Sequence, residues 1–466
     1  MGAAAVATLI ACALLLGGGL LRRRHYRAFC RAPAARDDRI ACHGDHTAVD
    51  LRMDGDGFDP PAGWARAGQT AFLALTVRAT AVGALVDPFI EVRDGTRTFR
   101  QYFERGARGR RHLNLSPIYQ DAGAPLARIR VRGFAITWRA EATLHLFDPP
   151  PLDGARLLVL APHPDDAEIA CFGLYADHPS SSWVVTVTAG EGGTADQLEV
   201  LPDPADHAPW SARLRVWNSL TIPRLGGVPG DRCLNLAYPD GALEAMWRAP
   251  TQSSHLGCEP GLTRAALRAE NARPDFTSAD RECRWPDLID DLGRVLDAAR
   301  PDVILAPHPT LDEHPDHLFT TVALDQALRA RGLRPRLFLY AVHNLAARLF
   351  PFGPATAMAA LPPTRDAELV ADGLYSHPLS PERRLAKYFA VDANHDLRAH
   401  ASGAPVAPGQ RARTSKRQLS AFVAGLSPDP VAFQRRAPRP DEIYYLSDAD
   451  TLSALVARAL AARSAS

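Results

Sequence analysis

Residues 157–168, LLVLAPHPDDAE, decide the reading of this chain. The run opens with five apolar residues that do not alternate with polar ones, as expected of a strand buried on both faces. A Pro-containing turn ends that strand, and a helical pattern follows over 168–177. Comparable apolar runs recur at 183–189, 233–238, 303–306 and 337–342, with helical patterns at 211–221, 286–299 and 318–331 between them. Strands alternating with helices predict an α/β fold with a Rossmann-like, mostly parallel sheet and helices on both faces. Such sheets carry their sites beyond the carboxyl ends of the strands.

The turn at the end of 157–168 carries His163, Asp165 and Asp166. An aspartate at a helix start can simply cap free backbone N–H groups. Capping needs one carboxylate, however, and has no use for His163. A histidine and an aspartate three residues apart on a turn can close around one ion, with Asp165 projecting differently, toward the reacting water. Zinc sites that do chemistry typically use three protein ligands and keep one position open. A second strand-to-helix stretch, VILAPHPTLDEHPDHL at 303–318, supplies the third ligand. There Pro315 suits a first helical position, and His314 and His317 fall on one side of the first turn. His317 completes a His/Asp/His set with His163 and Asp166. His314 is placed to act on a substrate carbonyl or leaving nitrogen, and Asp316 to orient a histidine from behind. His308 is a spare candidate, more simply read as a solvated loop histidine.

Outside this region the chain has a different texture. Residues 51–150 hold short runs of β character, at 70–79, 85–92 and 127–147, separated by Gly, Pro and Asp. They predict a small β-sandwich-like accessory domain, closed by the stiff Pro149-Pro150-Pro151 triplet before a catalytic domain over 151–466. Residues 2–21 carry no charge and run into the basic segment 22–27. Roughly 20 apolar residues span a bilayer core. The charge follows the apolar run, unlike an ordinary cleavable leader, and this predicts a single-pass anchor over 1–21, with an atypical signal peptide as the alternative. A linker over 22–50 would then follow, with the rest of the chain at the cytoplasmic face of the inner membrane. A loop at 399–408 and helices at 416–426 and 452–462 complete the expected outline.

Composition narrows the partners. With 53 Lys and Arg against 52 Asp and Glu the net charge is +1, which offers nothing to a nucleic acid. Lys387 and Lys416 are the only lysines, so arginine-rich runs reflect a compositional bias. The seven cysteines contain no C-x-x-C pair and show no disulfide framework. Nothing in the composition speaks to oligomeric state.

The two motifs together resemble those of the PIG-L/LmbE family of N-acetylglucosaminyl deacetylases, A/P-H-P-D-D-[EA] followed by H-P-D-H. The resemblance extends from about residue 151 to the C-terminus. It implies zinc, with iron(II) as the alternative ion, held by His163, Asp166 and His317. It implies Asp165 as general base and His314 as general acid or carbonyl polariser. The Tyr238-Pro239-Asp240-Gly241 turn resembles a sugar-contacting loop of the family, with Asp240 accepting a hydroxyl. Arg213 and Glu191 correspond to further substrate contacts. Where some members carry an oxyanion-stabilising tyrosine before H-P-D-H, this chain has Asp312 and Glu313. The implied substrate is an N-acetylated sugar, and the anchor suggests one linked to a glycolipid or lipopolysaccharide-type precursor. A soluble GlcNAc conjugate is the rival substrate, and a degenerate, membrane-anchored carbohydrate-binding protein is the rival class.

Overall fold

The computed structural model describes residues 26–27, 29–30, 37–60, 67–95, 97–120, 128–192, 201, 203–259, 261–278, 282–344, 347–363, 369–397 and 431–464. The apolar run 2–21, the loop expected at 399–408 and the helix expected at 416–426 lie outside them. Among the described residues no helix is long and apolar enough to cross a membrane. The six described cysteines are unbonded.

The chain divides into two compact units. The first comprises Met1–Ala41, Thr47–Leu146 and Asn344–Leu369. It contains two four-stranded sheets, one built on Ile136–Phe147 and Thr70–Ala79, the other on Ile129–Phe134 and Phe89–Arg93. Leu73, Leu75 and Val77 from one sheet share a core with Ile90, Val92, Ile129 and Val131 from the other. The run expected as one long strand over 127–147 is two. Ala135 takes a positive φ of 58° between them, where the chain leaves one sheet for the other. The late segment Asn344–Leu369 joins this unit through backbone contacts. Met358 N–H donates to the Arg100 carbonyl at 2.9 Å, and Asn114 Nδ2 donates to that of Ala359 at 3.1 Å.

The second unit comprises Cys42–His46, Phe147–His343 and Val370–Ser466. Its seven strands are β1 (Leu157–Ala161), β2 (Ser182–Thr188), β3 (Cys233–Tyr238), β4 (Val303–Pro307), β5 (Arg336–Tyr340), β6 (Gly373–Pro378) and β7 (Asp441–Ser447). In space they run β3-β2-β1-β4-β5-β7-β6. The first five pair in parallel, while β7 is antiparallel to both β5 and β6. β1 is buried throughout, as its unbroken apolar run requires. Leu157, Val159 and Ala161 enter the core layer with Phe172 and Tyr175, and Leu158 and Leu160 are equally covered on the other face.

The sheet is thus mixed at one edge, where sequence patterning anticipated neither β6 nor β7. Both strands bury polar groups that break an apolar run. Ser376 Oγ donates to Asp441 Oδ2 at 2.7 Å, and Glu442 pairs with the buried Lys387 at 2.6 Å. Helix α1 (Asp166–Asp177) follows β1, α2 (His207–Thr221) precedes β3, and α3 (Trp285–Ala299) leads into β4. Helix α4 (Pro315–Arg331) follows β4 and ends at Gly332, whose φ of 60° is the left-handed C-cap conformation. Strand order reverses about β1, with β2 on one side and β4 on the other. The crevice between their carboxyl ends is the switch point where such sheets bind ligands.

Candidate metal centre and active site

Both His/Asp motifs emerge at that switch point, one from β1 and one from β4. His163 Nδ1 lies 3.2 Å from Asp166 Oδ2 and 3.2 Å from His317 Nε2, and His317 Nε2 lies 3.1 Å from Asp166 Oδ2. Three donor atoms therefore form a nearly equilateral triangle. Ligands bound to zinc at about 2.0–2.1 Å in a tetrahedron stand roughly 3.3 Å apart, so the triangle has the dimensions of one face. Two imidazole nitrogens this close need a proton or a cation between their lone pairs. Asp166 Oδ1 is also buried without a hydrogen-bond partner, although His163 N–H donates to its Oδ2 at 2.9 Å. The residues present thus fit a single divalent ion. All three are buried.

The outward nitrogens of both imidazoles face carboxylates. His317 Nδ1 stands 2.9 Å from Asp312 Oδ2, which also accepts Val342 N–H at 2.7 Å and His343 N–H at 3.2 Å. His163 Nε2 stands 3.2 Å from Asp240 Oδ1 and 3.3 Å from Asp316 Oδ2. Asp316 is held in turn by Gly241 N–H, at 2.7 Å, and Leu243 N–H, at 3.3 Å. Carboxylates in these positions fix the tautomer and orientation of ligating histidines. Burial by itself would raise the Asp240 carboxyl. The His163 imidazole and the Arg215 guanidinium outweigh it and hold the group at about 2.

Asp165, beside the triangle, makes no capping bond to α1. Burial pushes its carboxyl above the usual range, and the Arg215 guanidinium, 3.6 Å away, opposes that rise. The arginine that faces the site is therefore Arg215 and not the expected Arg213. Arg215 is buried and paired with Asp396, whereas Arg213 is exposed beside the Trp210 ring. Two residues apart on a helix is roughly 200°, so only one of the pair can face inward. Glu191 Oε1 accepts Asp240 N–H at 3.1 Å and Gly257 N–H at 3.2 Å, while its Oε2 is buried without a partner.

His314 is the N-cap of α4, its Nδ1 accepting Asp316 N–H at 3.2 Å. That bond assigns the ring proton to Nε2. Its ring centroid lies 4.7 Å from that of His163 and 5.1 Å from that of His317. His308 stands elsewhere, fully buried and edge-on to Tyr445, with its Nδ1 accepting Thr310 N–H at 3.2 Å. Sequence patterning missed Arg215, Asp396 and His343 as neighbours of the site, and it placed Asp312 there without its role behind His317. The one available signal for His343 was its place just past the carboxyl end of the strand beside β4.

Residues 158–328 match the PIG-L family, described as GlcNAc-PI de-N-acetylase. Over those residues, which hold both His/Asp motifs, the chain carries a PIG-L domain. Among solved structures, it is similar to a deacetylase from the biosynthesis pathway of teicoplanin. Identity there is 18%, coverage 62% of this chain and 97% of that one, and the TM-score 0.33. It is also similar to N,N'-diacetylchitobiose deacetylase from Pyrococcus horikoshii. In that case identity is 17%, coverage 64% and 86%, and the TM-score 0.32. No curated protein matches the chain.

Proposed function

We propose that this protein hydrolyses the acetamide of an N-acetylhexosamine with a single bound zinc ion, releasing acetate and a free amino sugar. The observation that carries this reading is the His163–Asp166–His317 triangle with Asp165 alongside it. Zinc held there would polarise the acetamide carbonyl and bring the pKa of water toward about 7. Asp165 accepts the proton of the attacking water, and Arg215 keeps its carboxylate oriented for that transfer. His314 is held by the cap with its Nε2–H free, and it donates to the carbonyl oxygen or to the departing nitrogen. Glu191 Oε2, buried and without a partner, accepts a sugar hydroxyl. Asp240 orients His163 and shapes the rim of the same loop. Iron(II) is the alternative ion, and metal analysis of protein purified without added metal separates the two.

The test is Asp165→Asn. Zinc content should match the wild type while kcat falls by about 10²–10⁴-fold. Full activity in that variant would sink the assignment.

We further propose that the hexosamine is part of a lipid-linked precursor at the cytoplasmic face of the inner membrane. The support is the uncharged run 2–21 followed by the basic segment 22–27. Removing residues 1–24 should reduce turnover of a GlcNAc glycolipid in vesicles far more than turnover of a soluble GlcNAc conjugate. Equal losses on both would point to the soluble substrate.

A further inference from the structure

The deacetylase reading leaves one side of the metal centre without an assigned group. On that side, the loop before His314 supplies no oxyanion donor. Asp312 turns its carboxylate inward, to His317 Nδ1 and to the N–H groups of Val342 and His343. Beside this loop lies the His343 imidazole. Its ring centroid lies 4.8 Å from that of His317 and 5.3 Å from that of His314. One of its ring nitrogens lies within 4.8 Å of both an Asp166 carboxylate oxygen and a His317 nitrogen. Neither ring nitrogen makes a hydrogen bond among the described residues.

His343 stands further from the centre than the three ligands do. The three ligand atoms lie 3.1–3.2 Å from one another, whereas the His343 ring is placed within 4.8 Å of Asp166 and His317 with no hydrogen bond to either. Its position is nonetheless fixed. Its backbone N–H is tied to the same Asp312 oxygen that orients His317, so the two histidines are referenced to one carboxylate. The Phe433 ring lies edge-on at 6.2 Å and limits rotation of the imidazole. The side chain is half-buried.

We propose that His343 is a second N–H donor to the acetamide carbonyl oxygen, acting with His314 on the oxyanion that forms as water attacks. This rests on the deacetylase reading of the site. A donor held within 4.8 Å of an Asp166 oxygen and a His317 nitrogen needs little reorganisation as charge develops, and preorganised donors of this kind are worth about 10²–10³ in kcat.

The test uses metal-loaded full-length protein and octyl N-acetyl-β-D-glucosaminide, with His343→Ala and His343→Gln compared to wild type. In His343→Ala, kcat should fall by about 10²-fold or more with KM little changed, and His343→Gln, which keeps an N–H donor, should recover at least part of it. In parallel, the cobalt-substituted forms should keep the visible absorption spectrum and metal affinity of the wild type. A changed cobalt spectrum or weakened metal binding in His343→Ala would make His343 a ligand and overturn the proposal. So would a kcat within about threefold of wild type. A wild-type holoenzyme that leaves every N-acetylhexosaminide intact overturns the deacetylase reading itself, and the cobalt spectra still report independently whether His343 binds metal.

Discussion

Asp312 Oδ2 stands 2.9 Å from His317 Nδ1, on the edge of the imidazole opposite the nitrogen that faces Asp166. Two backbone N–H groups from the end of the neighbouring strand hold the same oxygen in place. Burial works against the Asp312 charge, but His317 and these N–H groups keep its carboxyl below the usual range. The carboxylate thus remains ionised at neutral pH and fixes the ligand nitrogen of His317 toward the centre.

Asp312→Asn should therefore weaken metal binding by about 10–100-fold, the usual cost of losing such a partner. Competition with a chelating indicator measures it. Unchanged affinity would mean that His317 is oriented by the fold of α4 alone.

Arg215 reaches Asp165 past Gly190, which has a φ of 73°. A Cβ at Gly190 would collide with Arg215 Nε and approach Pro164 Cδ to 2.9 Å. Gly190→Ala should displace Arg215 and lower kcat by about tenfold or more, with metal content retained. The left-handed backbone should add a stability loss of about 1–3 kcal/mol. Steady-state kinetics beside thermal melts would separate the two effects.

Lys387 is one of two lysines in the chain and is 1% exposed, with its Nζ 2.6 Å from Glu442 Oε1. Glu442 also accepts Gly173 N–H at 2.7 Å, Leu174 N–H at 3.1 Å and Tyr444 O–H at 2.8 Å. Lys387→Met would leave a buried charge unpaired and should cost about 3–5 kcal/mol. The double variant with Glu442→Gln should be less destabilised than Lys387→Met alone. Urea unfolding of the three proteins checks the order.

His112, in the first unit, is buried, with its Nδ1 lacking a partner, and burial pushes its pKa down to about 3. In the unfolded chain a histidine titrates near 6.5. Between those values the unfolded state binds more protons, so stability falls as pH drops from about 6.5 toward 3. The contribution approaches ~1.4 kcal/mol per pH unit. The urea midpoint of this unit should fall accordingly between pH 7 and 5, and His112→Gln should flatten the slope. An identical slope in the variant would place the titration elsewhere.

Much of the second unit was legible in the chain because its central strands are buried on both faces. That burial demands unbroken apolar runs, and β1, β3 and β4 were visible for that reason. β6 and β7 were hidden because their polar residues, Ser376, Asp441 and Glu442, are satisfied by partners far away in sequence. Nothing local marks Asn344–Leu369 as part of the sandwich unit either, since its backbone groups bond to residues far away in sequence, Met358 N–H to the Arg100 carbonyl and the Ala359 carbonyl to the Asn114 side-chain amide.

The same division runs through the site. His163, Asp165, Asp166, His314, Asp316 and His317 could be picked out by sequence alone, because two short turns carry them at the spacing of a helix start. What only the tertiary structure decided is which groups converge from outside those turns. Arg215 rather than Arg213 faces Asp165 because of the rotational setting of α2, which depends on the face it buries. Asp312 meets His317, and His343 lies beside them, because β4 and β5 are hydrogen-bonded neighbours. A short-range pattern records the turns that carry the His/Asp cluster. The carboxylates behind its ligands and the donors beside it depend on strand order, which no local spacing encodes.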